Sequence, residues 1–248
     1  MGDLRRAAAD LVLGTCCVGC AEAGVLLCAV CTATMQPSPR LSWPDPVPTA
    51  LREPYPVPPV AAGVYGGPLR HAIAEFKESG CHRLLPVLSG LLTASISALP
   101  LVDAPVLLVP MPSRRAAVRA RGYDAVGLLA RAAGRSLRDA GRDVRVAPLL
   151  RHSFVVRDQA GLDARARAAN LSGALRARAR PDPARALVVV DDVITTGSSM
   201  AEAVRALRAV GGHPGAIAVV AATPRRHRVV AGADDWCNPG RAYTVDNM

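Results

Sequence analysis

The chain has 248 residues, a formal net charge of +10, 50% hydrophobic residues and 3% aromatic ones. That length holds one main domain and an appendage but not two average domains, and the core must be built chiefly from Ala, Val and Leu. No uninterrupted apolar run is long enough to cross a bilayer as a helix, and so few aromatic side chains argue against strong single-strand binding through base stacking.

Arg5 and Arg6 precede an apolar stretch at 7–13 that has the outline of an export signal. Asp10 interrupts it and a cysteine cluster begins at Cys16, so a cytoplasmic protein is expected. Cys17, Cys20, Cys28 and Cys31 form C-x2-C-x7-C-x2-C, two knuckles with the number and spacing of ligands for tetrahedral Zn2+. Gly19 and Gly24 permit the tight turns such knuckles need. A four-sulfur site leaves no open coordination position, so its role would be structural. The competing reading is four small buried hydrophobes without metal. Cys16, Cys81 and Cys237 stand outside the two C-x2-C pairs and are read as structural or incidental. Residues 1–35 are therefore expected to be a cysteine-rich zinc-binding module.

Residues 36–60 hold nine of the 21 prolines. This composition predicts an extended linker with neither a helix nor a central strand. From 61 onward strand and helix signals alternate. Strands are predicted at 61–65, 105–109, 144–149, 187–190 and 216–222, and helices at 69–78, 84–98, 125–140, 200–210 and around 225–230. Such alternation predicts an α/β domain over 61–233, with a mostly parallel sheet flanked by helices. Residues 234–248 have little periodicity and are expected to be a disordered tail.

Lys77 is the only lysine; every other basic residue is an arginine. The scattered arginines fit either a compositional bias spread over solvated faces or attraction of phosphorylated ligands and nucleic acid. Lys77 itself reads as a site where an ammonium is wanted, or as an ordinary surface lysine.

The most informative stretch is 186–199, ALVVVDDVITTGSS. An aliphatic strand ends in Asp191 and Asp192, a turn of hydroxyls and glycine follows, and a helical pattern comes next. Backbone N–H groups and the dipole at such a helix start favour an anion. Gly197 would let the backbone approach it closely, with the hydroxyls as added donors. The alternative is a plain buried strand followed by an N-capped helix.

The 186–199 stretch resembles the phosphoribosyl-pyrophosphate (PRPP) motif of type I phosphoribosyltransferases. Three more segments align with one family. Tyr65, Gly67, Leu69, Arg70, Ile73 and Lys77 match Y-x-G-x-L-R-x-x-I-x-x-x-K; Val109-Pro110-Met111-Pro112 followed by Ser113 and Arg114 is similar to a V-P-V-P strand end, with Arg121-Gly122-Tyr123 where R-G-F is usual; and Gln159, Leu162, Arg167 and Asn170 match Q-x-x-L-x-x-x-x-R-x-x-N. With the cysteine knuckles, these resemble the ComF family of type I phosphoribosyltransferase-like proteins, some of which are linked to DNA uptake in natural transformation. The resemblance spans most of 17–224.

It implies the type I phosphoribosyltransferase fold and PRPP bound with Mg2+. By the same resemblance Asp191 and Asp192 would be the catalytic pair, holding ribose hydroxyls or acting through the metal shell. Thr195, Thr196, Gly197, Ser198 and Ser199 would hold the 5-phosphate, and Ser113, Arg114 and Arg121 the pyrophosphate. Gln159, Arg167 and Asn170 would belong to a hood over the ligand, though a plain amphipathic helix would look similar. The activity implied is transfer of phosphoribose to a nitrogen acceptor that no residue identifies. The other implied function is nucleotide or single-stranded DNA binding without catalysis, with DNA or a DNA-uptake helicase as partner; homo-oligomerisation is left open. Asp124 and Ala125 stand where the family commonly has Asn-Gln, which bears on the nucleobase or acceptor preferred.

Overall fold

The aliphatic run around Val188 and Val189 forms a strand with a neighbour on each side, as its lack of polar residues requires. This computed structural model describes residues 15–101, 104–153 and 173–224. The strands of its main sheet are β1 (Arg40–Leu41), β2 (Pro59–Val64), β3 (Val106–Pro110), β4 (Val144–Val146), β7 (Ala186–Ile194) and β8 (Pro214–Ala222), in the order β1-β2-β8-β7-β3-β4. β1 is antiparallel to β2, and every other pairing is parallel. β5 (Leu150–His152) and β6 (Leu175–Ala177) form a separate antiparallel pair.

Helices cover both faces. On one lie α3 (Gly67–Glu78), α4 (Leu85–Ser97) and α6 (Ala125–Asp139), packed on Val188, Val190 and Val220. The other carries α7 (Ser198–Arg208), packed on Leu187, Val189 and Ile217. Adjacent residues of a strand point to opposite faces, so one valine run supplies both cores. α3 buries Leu69, Ala72, Ile73 and Phe76, the spacing of a single helical stripe, and starts with Pro68 in its first turn. Among the described residues no helix is long and apolar enough to cross a membrane.

The chain leaves β3 through α6 toward β4 and leaves β7 through α7 in the opposite direction, toward β8. The carboxyl ends of β3 and β7 therefore flank a topological switch point, where open α/β sheets have their ligand crevice. Pro110 stands opposite Val190, and the Met111 N–H donates to Val190 O at 2.9 Å. The 110–114 segment and the acidic pair thus leave the sheet side by side.

Several expectations change. Residues 36–60 are not a bare connector. They contain β1, the one-turn α2 (Thr49–Arg52) and the start of β2. Leu51 and Val57 are fully buried, and Arg208 of α7 donates to the carbonyls of Ala50, Glu53 and Tyr55. Burial and borrowed hydrogen bonds thus order a stretch whose own propensity is poor. β7 does not end at Val190 but continues through both acids to Ile194. The strand expected at 144–149 stops at Val146. Helix α5 (Arg115–Arg121) carries no buried residue, so it left no apolar period to read. The 159–170 segment, the helix expected around 225–230, Cys237 and the 234–248 tail lie outside the described residues.

Candidate functional site

At the end of β7 each acid bonds to the next peptide. The Asp192 N–H donates to Asp191 Oδ1 at 2.9 Å and the Val193 N–H to Asp192 Oδ1 at 2.8 Å. Asp191 lines a small cavity of about 50 Å³ with Val193, Ile194 and the whole 195–200 turn. Asp192 is buried, and its Oδ2 lies 2.6 Å from Lys77 Nζ on α3. Burial and the negative charge of Asp192 push the Asp191 carboxyl well above its ordinary range, against the opposing pull of Lys77. Burial disfavours the Lys77 ammonium, but the charges of Asp192 and Asp191 outweigh it and raise its pKa.

The turn opens α7. Gly197 takes a left-handed conformation at φ 71° as its N-cap. Thr196 Oγ1 and Ser198 Oγ are 3.1 Å apart, and the first N–H groups of the helix have no intrahelical acceptor. These donors and hydroxyls converge beside Asp191. A Cβ there would also meet Pro44 Cγ at 2.7 Å and Leu51 Cδ1 at 3.4 Å, so packing of the proline-rich segment is a second reason for glycine at this position.

Of the arginine segment, Arg114 is exposed at the N-cap of α5. Ser113 Oγ is 2.7 Å from Asp124 Oδ1, so Asp124 acts as the acceptor for a residue of the same segment. Ala125, its neighbour, is buried in the core. Arg121 turns toward α3, donating from Nη1 to Lys77 O at 2.8 Å. The Tyr123 hydroxyl donates to Phe76 O. His152 Nε2 lies 2.9 Å from Pro112 O, fixing the base of this segment. The fold therefore brings Lys77, Asp191, Asp192 and the 195–199 turn together. Arg121 joins them through the backbone of α3. Pro44, Leu51 and His152 were invisible in the sequence, since each acts through a contact distant along the chain.

The four knuckle cysteines form a second centre. Their sulfurs lie within 4.8 Å of one another, and Cys20 Sγ is 3.6 Å from Cys28 Sγ. Four Zn–S bonds of about 2.3 Å in a tetrahedron separate the sulfurs by roughly 3.8 Å, so the cluster fits that ion. Burial opposes ionisation of Cys17, yet N–H groups of Cys28, Gly19 and Cys20 bring it down to about 6. Cys31 is pushed up by burial and then by the neighbouring sulfurs. A bound cation would reverse that penalty. Cys28 caps α1 (Ala29–Thr34) with its sulfur, accepting from the Cys31 N–H. A Cβ on Gly19 would lie 2.6 Å from Cys31 Sγ and 2.8 Å from Pro68 Cβ, so glycine lets the knuckle close on its own sulfur and on α3.

No family model and no curated protein matches this chain.

Proposed function

We propose that the chain is a ComF-like protein of the type I phosphoribosyltransferase fold that binds PRPP with Mg2+ and transfers phosphoribose to a nitrogen acceptor. One observation carries the reading: the acidic pair lies at the carboxyl end of β7, beside the switch point, and runs directly into the hydroxyl-rich turn that opens α7. A phosphate suits the turn, where N–H groups, hydroxyls and the helix dipole converge. A vicinal diol suits Asp191, the carboxylate lining the same small cavity.

Carboxylate and hydroxyl oxygens are the hard donors Mg2+ takes. Lys77 already neutralises Asp192, which leaves Asp191 as the protein carboxylate that would hold the ion. When bound, Mg2+ would offset charge gathering on the leaving pyrophosphate. In the transfer the C1–O bond to pyrophosphate breaks with its electron pair going to the leaving group. The acceptor nitrogen forms the new C1–N bond and loses its proton to solvent. Asp191 and the turn would hold the pentose at both ends through that change. The cysteine cluster has no place in it; it holds a structural Zn2+ that ties the knuckle to α3.

The test is a calorimetric titration with PRPP and Mg2+ of the parent and of the double variant Asp191→Asn, Asp192→Asn. Binding should disappear in the variant with the fold intact. Unchanged binding would place the site elsewhere. Release of pyrophosphate, screened against bases and amines, then identifies the acceptor.

A further inference from the structure

The last turn of α3, which carries Lys77, is gripped by a segment more than forty residues further along the chain. Carbonyls at a helix C-terminus have no intrahelical donor. Two of them are supplied here from the R-G-Y segment: Arg121 Nη1 donates to Lys77 O at 2.8 Å and the Tyr123 hydroxyl to Phe76 O. The Arg121 guanidinium lies 5.7 Å from the centre of the Tyr123 ring, and that ring meets fully buried Phe76 at 5.8 Å in an edge contact. Arg121 Nε is buried without a hydrogen-bond partner, a cost that a guanidinium free to turn into solvent would not bear. From this fixed turn Lys77 Nζ reaches Asp192 Oδ2 at 2.6 Å.

We propose that Arg121 and Tyr123 are positioning residues for Lys77: by holding the end of α3 they keep its ammonium on Asp192, so that Asp191 alone of the two acids meets the hydroxyls of a pentose phosphate. The charged groups acting on Lys77 are Asp192, Asp191 and Arg121, and the two acids prevail. This replaces the expected role of Arg121 as a pyrophosphate ligand. The ligand half of the proposal rests on the phosphoribosyl reading; the positioning half does not.

Because Lys77 is the only lysine, full-length protein labelled with 13C-lysine gives a single Cε resonance whose titration reports this ammonium. In the parent it should titrate above the roughly 10.4 of free lysine. Tyr123→Phe, which leaves every charge in place, should move the midpoint down; Arg121→Gln also removes a cation that itself lowers the Lys77 pKa, so that variant is read by binding. Each variant should weaken Mg2+–PRPP binding about tenfold in calorimetry, while neither weakens it further in a Lys77→Met background. A general loss of stability would lower the melting temperature without removing that dependence on Lys77. An unchanged lysine titration in Tyr123→Phe overturns the proposal. So does an Arg121→Gln loss that is equally large in the Lys77→Met background, since Arg121 would then touch the ligand itself. If the parent binds neither PRPP nor ribose 5-phosphate, the phosphoribosyl reading fails, and the lysine resonance of Tyr123→Phe still decides whether the grip on α3 holds Lys77 on Asp192.

Discussion

Gly197 and Pro44 are packed so closely that a Cβ on the glycine would lie 2.7 Å from the proline Cγ. The proline-rich segment thereby backs the turn that opens α7, and Leu51 stands beside it. A stretch expected to be a surface connector packs directly behind the turn of the candidate site.

This contact makes Gly197→Ala costly in two ways. The left-handed φ of 71° is unfavourable for any residue with a Cβ, and Pro44 must move. A loss of about 2 kcal/mol is expected in urea denaturation. Adding Pro44→Ala should recover part of it, because the second substitution opens the space. Strictly additive losses would show that the two side chains are not in conflict.

Asp191→Asn should stabilise the protein without ligand while weakening PRPP binding. The folded-state pKa of Asp191 is raised, chiefly by burial and then by Asp192. Between the unfolded value of about 3.9 and the raised folded value, the native state binds more protons than the unfolded one. Stability therefore falls as pH rises through that window and stays lower above it. Asparagine removes this loss. Denaturant midpoints should favour the variant at pH 7 and converge with the parent below about pH 4. Equal midpoints at pH 7 would mean that Asp191 ionises freely.

Purified protein should contain about one zinc per chain. Cys28→Ser should lower both the metal content and the melting temperature, because Cys28 is at once one of the four clustered sulfurs and the cap of α1. Zinc should be released as pH falls, since every ligand sulfur must be deprotonated to bind. Gly19→Ala should weaken retention of the metal by crowding Cys31 Sγ. A chain that folds with unchanged stability after chelation would rule out a structural metal.

Glu202 anchors α7 to β6. Its buried carboxylate accepts from the Leu175 N–H at 2.9 Å and from Arg205, whose Nη2 also donates to Leu175 O. Glu202→Ala leaves a buried N–H without an acceptor and should cost about 2 kcal/mol. Glu202→Gln keeps an oxygen for Leu175 and should cost less, as the Arg205 side chain is 40% exposed and its ion pair is screened. Equal losses from the two substitutions would place the stabilisation in the charge and not in the bond to Leu175.

Local signals in the sequence determined the α/β alternation, the places of α3, α4, α6 and α7, the four clustered cysteines and the acidic strand leading to the 195–199 turn. Each depends on residues within about a dozen positions, where apolar period, turn chemistry and ligand spacing act directly. The limits were equally physical. α5 buries nothing, and residues 36–60 owe their order to Leu51, Val57 and Arg208 instead of to their own propensity. Only the tertiary structure decided that Lys77 neutralises Asp192, that Arg121 faces α3, that Met111 leaves the sheet beside Val190, and that Pro44 fills the space behind Gly197. A hydrophobic pattern states which face of an element is buried, not which distant element covers it. That choice is made by strand order and by the packing of the two sheet faces, and it turns a list of candidate residues into a site.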